Sequence, residues 1–240
     1  MDILKILQSV EDLIYQVALW IVFIPKTFVK VVRQPRWCHS YVAAELGKDA
    51  GQRFDAYMSP ILFWITTGII PYLLVIDYLR SVSRSRVAQE AEFSQFLAFP
   101  WATRLLVVAV FALGGPLGFS LLIQKAKRTP IGRETFRRTF YTQCYAFTPA
   151  TFVLLPVAWI TLRFNDDIPG GYPEVVFTLS FLGFLCWLSY AQVILIKAEL
   201  NVGWFRAVIR FIGYAFVSYC LIFLLELTAI TLSLGLQTWK

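Results

Sequence analysis

The sequence predicts an all-α integral membrane protein, a bundle of five transmembrane helices preceded by an N-terminal amphipathic interfacial helix. Three observations predict it. Hydrophobic residues make up 58% of the chain and charged residues only 15%, against about 45–50% and about 25% in soluble domains. The apolar residues fall in blocks of about eighteen or more, the length of a membrane span. The charges collect between these blocks rather than on one continuous face. A chain of 240 residues built this way reads as a cytoplasmic and interfacial segment, 1–58, followed by one polytopic domain, 59–240.

The N-terminal element comes first. Ile3, Ile6, Leu7, Val10, Leu13, Ile14 and Val17 recur at helical spacing, and Lys5, Gln8, Ser9, Asp12 and Gln16 take the other face. The run 13–24, apolar except for Gln16, is only 12 residues long, too short to span. It predicts a helix lying on the membrane and stopping near Pro25; the alternative is a helix packed against the spans. Lys26, Lys30, Arg33 and Arg36 follow at helical spacing, interleaved with Phe28, Val29, Val31, Val32 and Trp37. Such a surface suits headgroup phosphates, and it equally suits an ordinary positive flank of a span. Residues 40–57 are mixed in character and read as a loop with a short helix.

The first span is expected over 59–78, with Pro60 in its first turn where a missing N–H costs little. A polar connector, 80–97, leads to a second span over 103–124. Gly114 and Gly118 there have the spacing that lets helices approach closely, and packing within the chain is favoured over dimerisation. The basic loop KAKRTPIGRETFRR, 125–138, carries six Lys and Arg residues and leads into a third span over 140–162. Pro149 and Pro156 interrupt that span and mark it as a hinge, since neither can donate to the carbonyl four residues earlier. An acidic turn around 163–174 precedes a fourth span over 175–196. A basic connector, KAELNVGWFRAVIR, precedes the fifth span over 211–236.

Charge fixes the expected orientation. Sixteen Lys and Arg residues fall on the side of the N-terminus, the 125–138 loop and the 197–210 connector, against five on the other. The first side is therefore cytoplasmic, the C-terminus lies outside, and the expected location is a bacterial inner membrane. The N-terminus lacks the cationic start and cleavage site of a signal peptide. The net charge of +7 sits in loops, which points to anionic lipid headgroups and excludes nucleic acid as the expected partner. A protein partner or homo-oligomer fits the same surface.

Little else carries chemistry. His39 is the single histidine, and Cys38, Cys144, Cys186 and Cys220 show no CxxC spacing, so no metal or cofactor is expected. No nucleophile sits with a base in a recognisable motif, and no enzyme is expected. Glu226 is the carboxylate placed well inside a span, where a charge is costly, and Arg104 falls at a similar expected depth. They form a candidate intramembrane polar pair; alternatively Arg104 reaches the headgroups and Glu226 meets a polar group or water. The candidate lipid- or partner-binding residues are Lys26, Lys30, Arg33, Arg36, Lys125, Lys127, Arg128, Arg133, Arg137 and Arg138.

Three stretches carry a family resemblance. FIPKTFVKVVRQPRW (23–37) resembles the membrane-surface segment of the Yip family. GRETFRRTFYTQCYAFTPA (132–150) is similar to that family's loop and Thr-Pro start of a span, and KAELNVGWFRAVI (197–209) to the loop before its last span. The resemblance implies a five-span protein without enzymatic activity. Eukaryotic Yip members bind Rab GTPases and act in endoplasmic-reticulum-to-Golgi traffic. This chain lacks their aspartate-tyrosine-glycine-proline motif and the Gly-Gly usual before the loop's Phe, so Rab binding does not carry over. The expected function is a non-enzymatic membrane scaffold or adaptor of Yip type with a basic cytoplasmic face. The alternative is a small transporter or channel component built around Glu226 and Arg104.

Overall fold

The computed structural model describes residues 3–69, 101–164 and 172–237. Every regular element among them is helical. The connector at 80–97, the far part of the first span and most of the acidic turn lie outside the described residues.

Helix α1 (Ile3–Arg33) is one continuous helix with Pro25 inside it, which corrects the expected stop near Pro25. Proline removes one hydrogen bond, to the carbonyl of Ile21, and the helix bridges that loss. Trp20, Phe23, Ile24 and Phe28 pack on the core, while Val17, Ile21 and Val22 stay exposed. The break comes instead at Gln34, whose φ of −138° and ψ of 69° follow from the steric bar that Pro35 sets on an α conformation before it. Helix α2 (Pro35–Leu46) starts with that proline in its first turn. Trp187 donates its indole N–H to the Val32 carbonyl at 3.2 Å, answering one of the open carbonyls at the end of α1.

After α2 a short 3₁₀ turn (Ala50–Gln52) leads to helix α3 (Pro60–Trp64), which passes into a π-helical turn (Ile65–Ile69). Pro60 occupies the first turn of α3 as expected. Thr66 and Thr67 also donate their hydroxyls to the Leu62 and Phe63 carbonyls at 2.7 and 2.5 Å, the back-bonding open to threonine within a helix.

Helices α4 (Trp101–Lys127), α5 (Arg133–Phe164), α6 (Tyr172–Leu200) and α7 (Trp204–Gln237) complete the chain. Each extends beyond its expected span. The basic stretch 125–138 is a loop only over 128–132, because α5 already begins at Arg133. The connector before α7 shrinks to Asn201–Gly203, with Asn201 at a φ of 48°, a conformation asparagine tolerates better than most residues. Helix α5 runs through both Pro149 and Pro156. Thr148 in α5 donates to the Cys144 carbonyl at 2.6 Å, one residue short of the Tyr145 carbonyl that Pro149 cannot reach.

Two cores hold the helices together; α6 contributes buried residues to both, and Phe147 of α5 packs against the second. The first gathers Val31, Cys38, Val42, Met58, Phe63, Tyr145, Ala146 and Leu195. The second gathers Phe119, Ile123, Val193, Ile196 and Ala207. Small residues set the close approaches, as they must where lipid competes for apolar contact. A Cβ on Gly118 would lie 2.5 Å from Ser218 Oγ, and one on Gly115 2.7 Å from the Phe147 ring. Gly118 thus seats α4 against α7 within one chain. Two described stretches, Thr178–Leu200 and Trp204–Leu221, are long and apolar enough to cross a membrane.

Candidate functional site

The break between α1 and α2 makes an elbow, and the first four cationic residues of the candidate set gather on it. Lys26, Lys30 and Arg33 stand at i, i+4 and i+7 and so share one stripe of α1. Arg36 follows in the first turn of α2, two residues past Gln34. Two clefts flank the elbow and share Arg33 and Gln34. The larger, about 440 Å³, is lined by Arg33, Arg36, Trp37 and Ser40 on one side and by Tyr190 and Ile194 of α6 on the other. The smaller, about 220 Å³, is lined by Lys26, Val29, Lys30, Arg33 and Tyr57. Among the described residues no carboxylate lines either cleft.

The aromatic neighbours hold the shorter cations in place. Lys26 Nζ donates to the Ala56 carbonyl at 2.9 Å and lies 4.6 Å from the centre of the Tyr57 ring. Lys30 Nζ lies 5.9 Å from the Trp37 ring centre, within cation–π range. Trp37 itself stacks on Tyr41 at 4.4 Å and meets Tyr57 edge-on at 4.7 Å. Arg33 and Arg36 are exposed and make no ion pair among the described residues. Two free guanidiniums in a cleft without acid offer the bidentate donors that phosphate takes best.

The loop after α2 is anchored beside this elbow. Glu45 accepts from Lys48 Nζ and from the Phe54 backbone N–H, both at 2.6 Å. Burial acts to raise the Glu45 carboxyl, and the Lys48 ammonium and the Phe54 N–H outweigh it, so the group lies below its ordinary value. The same contact holds Phe54 at a φ of 63°, a strained conformation for a bulky residue. Met58 is held from both sides: its N–H donates to Thr27 Oγ1 at 3.1 Å, and its carbonyl accepts from the Tyr145 hydroxyl.

The remaining basic candidates divide. Lys125, Arg128 and Arg133 are exposed at the α4–α5 loop. Arg137 lies on Tyr141, donating to its hydroxyl at 3.1 Å. Lys127 and Arg138 turn inward to a cluster whose centre is Glu199. Glu199 is fully shielded; it accepts from Lys127 Nζ and lies 2.8 Å from His39 Nδ1. Arg138 Nη2 lies 3.3 Å from His39 Nε2. One tautomer serves both contacts: neutral His39 with its proton on Nδ1 donates to Glu199 and accepts from Arg138. Arg138 Nε is buried without a partner. The cluster brings α2, the end of α4, the start of α5 and the end of α6 to one end of the bundle, so the three segments richest in Lys and Arg meet there.

The other expected residues are placed less fully. Arg104 and Glu226 fall on α4 and α7, and their side chains lie outside the described residues, as does that of Pro156. Pro149 is buried in α5. Cys38 is buried and burial raises its thiol, while His39 directs both ring nitrogens to Glu199 and Arg138. No group of three or more His, Cys, Asp or Glu residues converges among the described residues. Sequence reasoning passed over Glu199, whose one signal was to be the sole acid in the basic stretch KAELNVGWFRAVIR. Gln143 and Gln192 are both fully buried with unmet amide groups.

No protein-family model matches the chain, and no curated protein or solved structure matches it.

Proposed function

We propose that the chain is a non-enzymatic membrane scaffold of five spans whose basic elbow, between α1 and α2, binds anionic lipid headgroups. One observation carries the reading: Lys26, Lys30, Arg33 and Arg36 line two adjoining clefts that contain no carboxylate among the described residues. The two apolar stretches able to cross a bilayer support the membrane location, and the exposed apolar side of α1 suits a helix lying in the interface. The meeting of the three cation-rich segments at one end of the bundle supports a cytoplasmic N-terminus in a bacterial inner membrane. The three Yip-like stretches support a scaffold or adaptor role, with a homo-oligomer or a protein partner joined through the same basic end. Full-length protein in neutral detergent, titrated with phosphatidylglycerol and phosphatidylcholine, tests the reading. It predicts a preference for the anionic lipid that falls when Lys30, Arg33 and Arg36 become Gln; an unchanged preference refutes it.

A second reading, a small transporter or channel component using Glu226 and Arg104, is favoured by the unmet amides of Gln143 and Gln192. A buried amide without partners costs about 1–3 kcal/mol, and a water or polar solute between helices would recover it. Ion or solute flux in proteoliposomes that is lost in Glu226→Gln supports this reading; no flux in the parent protein removes it.

A further inference from the structure

The larger cleft has two walls of opposite character. One wall is the elbow, with Arg33, Gln34, Arg36 and Ser40. The other is α6, which holds one of the two described stretches apolar enough to cross a membrane and contributes Tyr190 and Ile194. From the cleft, α6 carries a stripe at helical spacing: Ile194, Tyr190, Cys186, Gly183 and Leu179. Tyr190 is 52% exposed and Leu179 64% exposed. Cys186 and Gly183 are exposed too, and a Cβ on Gly183 would meet no atom within 4 Å. The stripe is therefore open from Tyr190 to Leu179, with its surface lowest at Gly183.

From Tyr190 to Leu179 it runs about 16 Å at 1.5 Å per residue. That is close to half of a hydrocarbon core about 30 Å thick, the depth reached by one acyl chain from its headgroup. Trp187 fixes this wall against the elbow through its bond to the Val32 carbonyl, so cationic cleft and apolar stripe are held as one surface.

Resting on the reading of the elbow as an anionic-lipid site, we infer that the cleft holds a single anionic phospholipid bound as a ligand rather than as bulk lipid. Its phosphate lies between Arg33 and Arg36, and one acyl chain runs along α6 past Tyr190 and Gly183 towards Leu179. Charge complementarity selects the occupant: two guanidiniums without an ion pair at the head of the cleft favour an anion, and an apolar stripe begins where they end. A free phosphate or a soluble headgroup would use only the first half of the site.

The test is native mass spectrometry of the full chain released from detergent, with long-chain phosphatidylglycerol, glycerophosphoglycerol or inorganic phosphate added in turn. The expected result is one retained phosphatidylglycerol per chain and no retention of the two soluble probes. Arg33→Gln with Arg36→Gln should weaken retention by about thirtyfold, from the loss of two cations beside an anionic headgroup. Gly183→Trp fills the stripe from a position where an added Cβ meets no atom within 4 Å, and should weaken retention by about fivefold, as expected for a displaced acyl segment. Loss in the arginine variant with no change in Gly183→Trp overturns the acyl path and leaves surface binding intact. Equal retention of inorganic phosphate overturns it as well. No change in the arginine variant overturns the elbow as a lipid site altogether.

Discussion

His39 Nδ1 lies 2.8 Å from Glu199 Oε1, joining α2 to the end of α6 through a carboxylate with no solvent exposure. Lys127 reaches the second oxygen of the same carboxylate from α4. Removing the negative charge should therefore loosen three elements at once. Glu199→Gln keeps the shape and strands Lys127, which is 24% exposed, so the cost stays below that of a fully buried pair, at about 2 kcal/mol. In a domain of this size that is a fall of about 4–8 °C in thermal midpoint, measurable by unfolding in detergent. A midpoint within a degree of the parent would show that the pair carries no stability.

Acid should weaken the loop after α2 through Glu45. Its folded-state carboxyl lies below the ordinary 4.5, so the folded state holds the ionised form more strongly than the unfolded chain does. That contribution is complete above the ordinary value and fades as the pH falls through the lower folded value. The stability gap between the parent and Glu45→Gln should be constant at neutral pH and close on acidification below about 4.5. Paired denaturation curves across that range check the sign; a gap that widens on acidification contradicts it.

The α4–α7 seam should be sensitive to a single methyl group. A Cβ on Gly118 would lie 2.5 Å from Ser218 Oγ and 3.1 Å from Ser218 Cβ, so Gly118→Ala should cost about 1–3 kcal/mol by overpacking. Adding Ser218→Gly should recover most of it, whereas Gly183→Ala, on open surface, should cost almost nothing beyond noise. Thermal midpoints of the three variants decide the point, and failure of the second substitution to rescue would place the strain elsewhere.

Met58 offers a separate handle on the strap between α2 and α3. Its carbonyl accepts from the Tyr145 hydroxyl, and its N–H donates to Thr27. Tyr145→Phe and Thr27→Val should each leave a buried backbone group unpaired, at about 1–3 kcal/mol. Limited proteolysis should then cut within 47–59 faster than in the parent. Equal cutting rates would mean that the aromatic contacts of Tyr57 and Phe54 hold the strap unaided.

Helix existence was legible in the sequence because apolar length and period report directly on it, and Pro60 marked the start of α3 through a local rule. Helix ends were less legible. Pro25 looked like a stop, yet packing of Trp20, Ile24 and Phe28 on the first core carries α1 past it, and the true break lies before Pro35. Arg133 and Trp204 looked like loop residues because they are polar or interfacial, although both begin helices. The elbow cations were identified from spacing alone. Their clefts were not, since these depend on Tyr190, Ile194 and Tyr57, which lie far from them in sequence. Glu199 was missed for the same reason: its partners His39 and Lys127 come from α2 and α4, Arg138 joins from α5 through His39, and no local pattern announces them.

The elbow is tested most directly by comparing two variants that remove equal charge. Arg33→Gln with Arg36→Gln empties the clefts of free guanidinium, and Lys125→Gln with Arg133→Gln removes two exposed cations from the α4–α5 loop. Phosphatidylglycerol binding to the purified full-length protein should fall by at least about tenfold in the first and stay near the parental value in the second. An equal fall in both would contradict a specific site and reduce the basic end to a diffuse charged surface.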